Sequence, residues 1–134
     1  MIVSALALIL IAQPTMAQRL GLPGLDLDGW DVAERHEGGV LTLTHPALGD
    51  QIPNLPQVWI RTEPLGPEAK GSSLQLVEFN CSARKMRVRE AYTYPLKDLG
   101  GRKHRLPTTQ ETWRPLPAQA WFKPLFDSAC EDQE

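Results

Sequence analysis

One segment of the sequence concentrates charge of a single sign. From Arg84 to Arg105 the chain carries eight basic residues, namely Arg84, Lys85, Arg87, Arg89, Lys97, Arg102, Lys103 and Arg105. Only two acidic residues oppose them, so the segment has a formal charge of +6, and the rest of the chain, with six basic and fourteen acidic residues, has −8. Such a surface attracts sulfated glycans, anionic lipid headgroups or acidic protein segments. The alternative is a solvated face that pairs with the protein's own acids.

No pattern of catalytic residues accompanies this segment. His36, His45 and His104 lie in different segments, and none has a further metal-ligating residue at ligand spacing. The serines of Gly71-Ser72-Ser73 lack the G-x-S-x-G context of a nucleophile, and the chain has no phosphate-binding loop. We therefore expect a non-enzymatic protein that uses neither a cofactor nor a metal.

Most of the basic residues fall on two predicted strands. Residues 85–94 alternate, which predicts a strand with Lys85, Arg87 and Arg89 on one face. The other face of this strand is expected to hold Met86, Val88, Tyr92 and Tyr94. The segment 102–106 is short and charged, which is typical of an edge strand. This edge strand is expected to lie beside the strand over 85–94.

The remaining elements define the predicted fold class, α+β. Residues 30–36, 40–45, 58–62 and 74–81 are further strand candidates, and their connections are too short for crossover helices, so the sheet is antiparallel. At the end of the chain, apolar residues recur at helical spacing, which predicts a helix of about two turns from Phe122 or Lys123 to Glu131, with Pro124 in its first turn. We expect five to six short strands with this helix packed on one face and the other face open to water or a partner.

The N-terminus and the composition indicate an exported single domain. The chain has 134 residues, of which 42% are hydrophobic and 22% charged, which excludes a disordered polyelectrolyte and a multi-span membrane protein. Residues 1–12 are uncharged and apolar but shorter than the roughly 20 residues that span a bilayer. Thr15 and Ala17 then occupy the −3 and −1 positions of a cleavage site. This predicts a signal peptide over 1–17 and one domain over 18–134; the alternative is an uncleaved, buried N-terminal helix.

Whether the two cysteines form a disulfide depends on the prediction of export. In an exported chain Cys81 and Cys130 are expected to form a disulfide, whereas in the cytosol they would be two unrelated buried thiols. Cys81 ends a predicted strand and Cys130 ends the predicted helix, each on its apolar face. The bridge would therefore tie the helix to the sheet.

Residues 18–134 resemble the surface-adhesin protein E-like domain of Gram-negative bacteria, and residues 74–130 are the distinctive part of the match. The resemblance rests on a strand ending in Cys81, a basic and aromatic strand over 85–94, Trp113 followed by two prolines, and a short helix closing on Cys130. It implies an antiparallel sheet tied by a disulfide to a C-terminal helix. It also implies, from the best-known member, adhesion to extracellular-matrix proteins of a host.

The predicted function is an exported binding module that recognises an anionic glycan or a protein partner. Its candidate contact residues are Arg84, Lys85, Arg87, Arg89, Arg102, Lys103 and Arg105. We expect no nucleic-acid partner, because the chain is predicted to leave the cytoplasm and no aromatic residue is expected on the cationic face. We also expect no transmembrane segment after cleavage. The alternative is a periplasmic or envelope structural protein that forms a homodimer through its exposed sheet face.

Overall fold

A computed structural model describes residues 13–22, 24–49, 51–108 and 112–131. It contains two helices and seven strands. In chain order these are α1 (Met16–Arg19), β1 (Asp31–Arg35), β2 (Val40–Pro46), β3 (Gln57–Pro64), β4 (Ser72–Asn80), β5 (Lys85–Tyr94), β6 (His104–Leu106), β7 (Arg114–Pro115) and α2 (Phe122–Glu131).

Six strands lie side by side in chain order, from β1 at one edge of the sheet to β6 at the other. Every pairing is antiparallel, and the two-residue strand β7 pairs with the first residues of β5. The predicted α+β fold is confirmed: an antiparallel sheet carries one C-terminal helix on one face. Strand β7 was not predicted, because two residues, one of them a proline, cannot show an alternating pattern.

Helix α2 covers one face of the sheet. Its Phe122 and Phe126 are buried, and the ring of Phe126 meets that of Phe79 edge-on, with centroids 5.4 Å apart. The sheet contributes Val58, Ile60, Val77, Phe79 and Met86 to this core. Pro124 is the third residue of the helix, where its missing N–H removes no intrahelical hydrogen bond. A helix of ten residues is marginal alone, so its packing and its covalent link hold it.

That link is the predicted disulfide between Cys81 and Cys130, which is confirmed. Cys81 directly follows β4, and Cys130 lies in the last turn of α2; their Cα atoms are 5.7 Å apart and 49 positions separate them in the chain. The bridge therefore fastens the end of the helix to the turn between β4 and β5.

The opposite face of the sheet carries a second core that was not predicted. Ala17 and Leu27 from the N-terminal segment pack with Leu41 and Leu43 of β2, and all four are buried. We expected this face to be open, but the N-terminal segment covers it over β2. The leucines of this segment lie at positions 20, 22, 25 and 27 and keep no single spacing, so their burial gives no periodic signal.

The short helix α1 begins this covering segment. Thr15 caps it by accepting a hydrogen bond from the backbone of Gln18, whose side chain accepts one from the backbone of Thr15. The predicted cleavage site after Ala17 thus lies inside α1, while residues 1–12 of the predicted signal peptide lie outside the described residues. No helix in the described ranges is long and apolar enough to cross a membrane.

Candidate functional site

The basic residues of the segment 84–105 lie along β5 and at the edge formed by β6. Lys85, Arg87 and Arg89 belong to β5, and Arg105 belongs to β6, where it lies opposite Tyr92 of β5. Arg84 occupies the turn before β5, and Arg102 and Lys103 precede β6. The predicted proximity of the 102–106 edge to the basic strand is confirmed. At about 3.3 Å per residue, the stretch of β5 from Lys85 to Tyr92 is roughly 20 Å long.

A β-bulge changes which side chains share a face of β5. Val77 pairs with Val88 and Leu76 pairs with Glu90, which leaves Arg89 without an opposite residue on β4. The extra residue shifts the alternation by one position. Tyr92 therefore lies on the same face as Arg87, and the prediction that it lies opposite Arg87, with Met86 and Val88, is wrong. An alternating pattern read from one strand assumes uninterrupted pairing, so it cannot reveal a bulge.

Arg87 does not stand free on this face. Its guanidinium donates hydrogen bonds to Oε1 of Glu78 at 2.7–2.8 Å, and it lies 4.2 Å from the centroid of the Trp113 ring. Glu78 is only 3% exposed, and its Oε2 accepts a further hydrogen bond from Gln57 at 2.9 Å. Because a buried carboxylate balances its charge, Arg87 organises the surface more than it offers charge to a partner.

Tyr92 anchors the other end of the basic surface. Its hydroxyl donates a hydrogen bond to Oε1 of Glu90 at 2.5 Å, and Nζ of Lys103 and the guanidinium of Arg105 lie 4.6 and 5.9 Å from its ring centroid. The hydrogen bond to Glu90, together with burial and the charge of Glu90, raises the pKa of Tyr92. The ring thus holds two cations at the β6 edge.

The remaining basic residues differ in how freely they meet solvent. Arg84, at a positive φ of 54°, lies with its guanidinium 5.0 Å from the centroid of the Phe126 ring. Lys85 and Arg102 are exposed, and neither has a hydrogen-bond or ion-pair partner within the part of the chain that the structure describes. Arg89 is half-buried at the bulge, and Lys97 donates to the carbonyl of Gly66. In the described structure, the unpaired charge therefore lies at the two ends of this row of basic residues, at Lys85 and at Arg102.

A second charged cluster, which was not predicted, is buried on the sheet face opposite α2. Arg61 donates to Oε1 of Glu63 at 2.8 Å and to Oδ1 of Asp98 at 2.8 Å, and also to the carbonyl of Asp26. Arg61 and Glu63 are 2% and 0% exposed. The cluster ties β3, the 95–101 loop and the N-terminal segment together. The spacing of Arg61 and Glu63, two positions apart on a strand, is the signal that could have shown they share a face.

The described residues hold no group of three histidine, cysteine, aspartate or glutamate side chains that could bind a metal. Ser72 is engaged structurally: its hydroxyl donates to the carbonyl of Leu96 at 2.7 Å and accepts from the backbone of Leu99 at 3.0 Å. It braces the 95–101 loop, and its geometry gives no sign of a nucleophile.

Comparisons of the chain with known protein families, with characterised proteins and with solved structures find no match. The resemblance to the surface-adhesin protein E-like domain therefore stays a prediction.

Proposed function

We propose that this protein is an exported, non-enzymatic, adhesin-like binding module. Its basic edge, formed by the basic residues on and just before β5 and β6, recognises an anionic partner. The partner would be a sulfated glycan or an acidic segment of an extracellular-matrix protein. The observation that carries the proposal is the row of cations along β5 and β6, with Lys85 and Arg102 unpaired in the described structure and Lys103 and Arg105 held against Tyr92.

Electrostatics explains why this edge suits an elongated anion. The exposed cations flank Arg87, whose charge Glu78 balances, so attraction is strongest at two places about 20 Å apart. Because the Debye length is ~8 Å at physiological salt, each end acts on its own part of a ligand. A linear polyanion can satisfy both ends at once, whereas a single small anion cannot.

Three features support export and adhesion. The Cys81–Cys130 disulfide is of the kind that persists in oxidising compartments. The sequence predicts a signal peptide over 1–17, and cleavage there would deliver the domain to the periplasm or the cell surface. The resemblance to the surface-adhesin protein E-like domain adds the expectation of matrix binding.

The exclusion of nucleic acid now rests on export alone. The bulge brings Tyr92 and Tyr94 to the face of Arg87, so the predicted position of Tyr94 beside Met86 and Val88 is wrong as well, and Trp113 lies against Arg87. Aromatic residues therefore do accompany the cations, contrary to the sequence prediction, and an exported protein is the remaining reason to propose no nucleic-acid partner.

Binding to immobilised heparin tests the proposed surface. The triple variant Lys85→Glu/Arg102→Glu/Lys103→Glu should elute at clearly lower salt than wild type, because it inverts the exposed charge at both ends of the row. The matched control Arg19→Glu/Lys70→Glu/Lys123→Glu changes net charge equally at exposed sites elsewhere and should stay close to wild type. Circular dichroism verifies that both variants fold. Equal losses in the two triples would show that only net charge matters and would contradict the proposal.

The alternative, a homodimer through the sheet face, gains no comparable support. Among the described residues, the exposed large hydrophobic side chains are Val32, Val40, Leu48, Ile52, Leu96 and Leu106. They belong to loops, to the edge strands β1 and β6, and to the first position of β2, not to the middle of a face. An association that is insensitive to salt, measured by analytical ultracentrifugation, would favour this dimer over the binding module.

A further inference from the structure

A groove lies between helix α2 and strands β1 and β2, at the opposite edge of the sheet from the basic residues. It consists of two adjoining cavities of about 180 and 270 Å³, which share Thr44, Leu125 and Ser128 as walls. Thr44 pairs with Ile60, which belongs to the core under α2, so the groove is on the helix side of the sheet. The helix packs over β3 to β5, and the groove separates it from β1 and from the buried Thr44 of β2.

The walls of the groove are largely apolar. They include Val32, Ala33, Val58, Trp121, Pro124, Leu125 and Ala129. Val32 only borders the groove, because it pairs with Leu43 and its side chain therefore lies on the opposite face of the sheet. Together the two cavities reach the size at which side chains of a ligand are buried rather than merely touched.

The groove is bordered by a free sheet edge. Within the described ranges β1 pairs only with β2, so its outer N–H and C=O groups are available to an added strand. A bulge between Val32 and Glu34 interrupts the pairing of β1 with β2, and such bulges discourage indiscriminate edge pairing. A partner must therefore use the groove as well as the backbone.

The charge of this edge indicates what kind of strand fits. Asp31 and Glu34 pair with Thr44 and Thr42, which places both carboxylates on the groove side of the sheet. Neither has a hydrogen-bond or ion-pair partner in the part of the chain that is described. The other carboxylates of the sheet are engaged, because Glu63, Glu78 and Glu90 bind Arg61, Arg87 and Tyr92. Glu37, in the turn after β1, binds Arg35.

We propose that this groove binds an extended peptide segment of another protein in which a leucine-like residue is flanked by lysine or arginine two positions away on each side. Residues two apart face the same side of a strand, so the aliphatic side chain would enter the groove while its basic neighbours meet Asp31 and Glu34. This inference does not depend on the basic edge, because the two surfaces lie at opposite edges of the sheet.

Calorimetric titration with synthetic peptides tests the inference on the intact, disulfide-bonded protein. The probe is the acetylated and amidated peptide Ser-Lys-Ser-Leu-Ser-Lys-Ser, and two further peptides replace its lysines by glutamate or its leucine by serine. We expect binding of the first peptide only. Asp31→Asn/Glu34→Gln should weaken that binding roughly fivefold, since exposed ion pairs have modest energies. Ser128→Trp, which fills the wall common to both cavities, should abolish it.

Matched controls separate this groove from other surfaces. Asp28→Asn/Glu68→Gln removes two exposed carboxylates elsewhere and should leave peptide binding unchanged, and Ser128→Trp should leave heparin retention unchanged. The inference is overturned if no lysine–leucine peptide binds, if the glutamate peptide binds equally well, or if the groove variants bind like wild type. Self-association that disappears in the same variants would assign the groove to a second copy and would also overturn it.

Discussion

At the scale of single residues, the setting of each arginine decides what its charge can do. Arg61 and Arg87 lie on the same face of the sheet, yet each is bound by a buried carboxylate, whereas Arg102 is exposed. Taking a charge out of water is costly, and a buried pair is tolerated only when each group is well satisfied. Removing one member of such a pair is therefore more damaging than removing an exposed cation.

Arg61→Met should lower the free energy of unfolding by about 3–5 kcal/mol, because it leaves Glu63 buried without its cation. Urea unfolding at neutral pH measures this as a lower midpoint. The comparison is Arg35→Met, which breaks the exposed pair with Glu37 and should cost no more than about 1 kcal/mol. Equal midpoints for the two variants would show that the Arg61 cluster does not stabilise the fold.

The raised pKa of Tyr92 predicts a specific sensitivity to alkali. The unfolded phenol titrates near 10, and the hydrogen bond to Glu90 raises the pKa in the folded protein. The folded state thus holds its proton more tightly, so this stabilisation is present below about pH 10 and is lost as the pH rises through the folded pKa. As the pH rises above about 10, wild type should lose more stability than Tyr92→Phe in parallel urea titrations. Parallel pH profiles would contradict the assignment.

At the scale of elements, the sequence predicted the periodic elements and the Cys81–Cys130 bridge between two of them, but it missed the register between neighbouring strands. Strand β5 and helix α2 follow from the spacing of their own apolar residues, and the structure gives the predicted ends of both, with α2 beginning at Phe122. The bulge at Arg89 and the pairing of Arg87 with Glu78 depend on the register between β4 and β5, which periodicity within one strand does not contain. The burial of Ala17 depends on packing against β2, to which no local pattern corresponds.

Removal of the disulfide should loosen α2 before the sheet. Closing a loop of 49 positions stabilises a fold by roughly 4 kcal/mol in the chain-entropy model, so Cys81→Ser/Cys130→Ser should lower the melting temperature by about 10 °C or more. Fluorescence of Trp121, next to the helix, should change before the circular dichroism of the sheet. A reducing agent should reproduce the shift in wild type and have no effect on the double variant. Two titratable thiols in the native protein would contradict the bridge.

At the scale of the whole molecule, the small net charge is the sum of an acidic edge at β1 and a basic edge at β6 with the rest of the chain. The chain carries −2 overall, but Asp31, Glu34 and Glu37 lie on or beside β1, and Arg102, Lys103 and Arg105 lie on or beside β6. Five strand spacings of about 4.8 Å separate these edges by roughly 24 Å. That distance exceeds the Debye length at moderate salt, so each edge acts independently.

This separation predicts retention on both kinds of ion exchanger. At about pH 7 and low salt the protein should bind an anion exchanger through its acidic edge and a cation exchanger through its basic edge. The Lys85→Glu/Arg102→Glu/Lys103→Glu variant should lose only the second behaviour, because its acidic edge is unchanged. Failure of wild type to bind the cation exchanger would show that the basic edge is not exposed as a separate charged surface.

The Cys81–Cys130 bridge also determines how the molecule would respond to mechanical load. When the two ends of the chain are pulled apart, force passes through the disulfide and bypasses the 49 positions between its cysteines. Those positions would otherwise add roughly 170 Å of extended length. The whole segment from Arg84 to Arg105 lies inside this covalent loop, so tension can strip β1 to β4 from the sheet while the basic residues of β5 and β6 stay on a loop that cannot be drawn out. A ligand bound to these basic residues would therefore stay bound after β1 to β4 had unfolded under load.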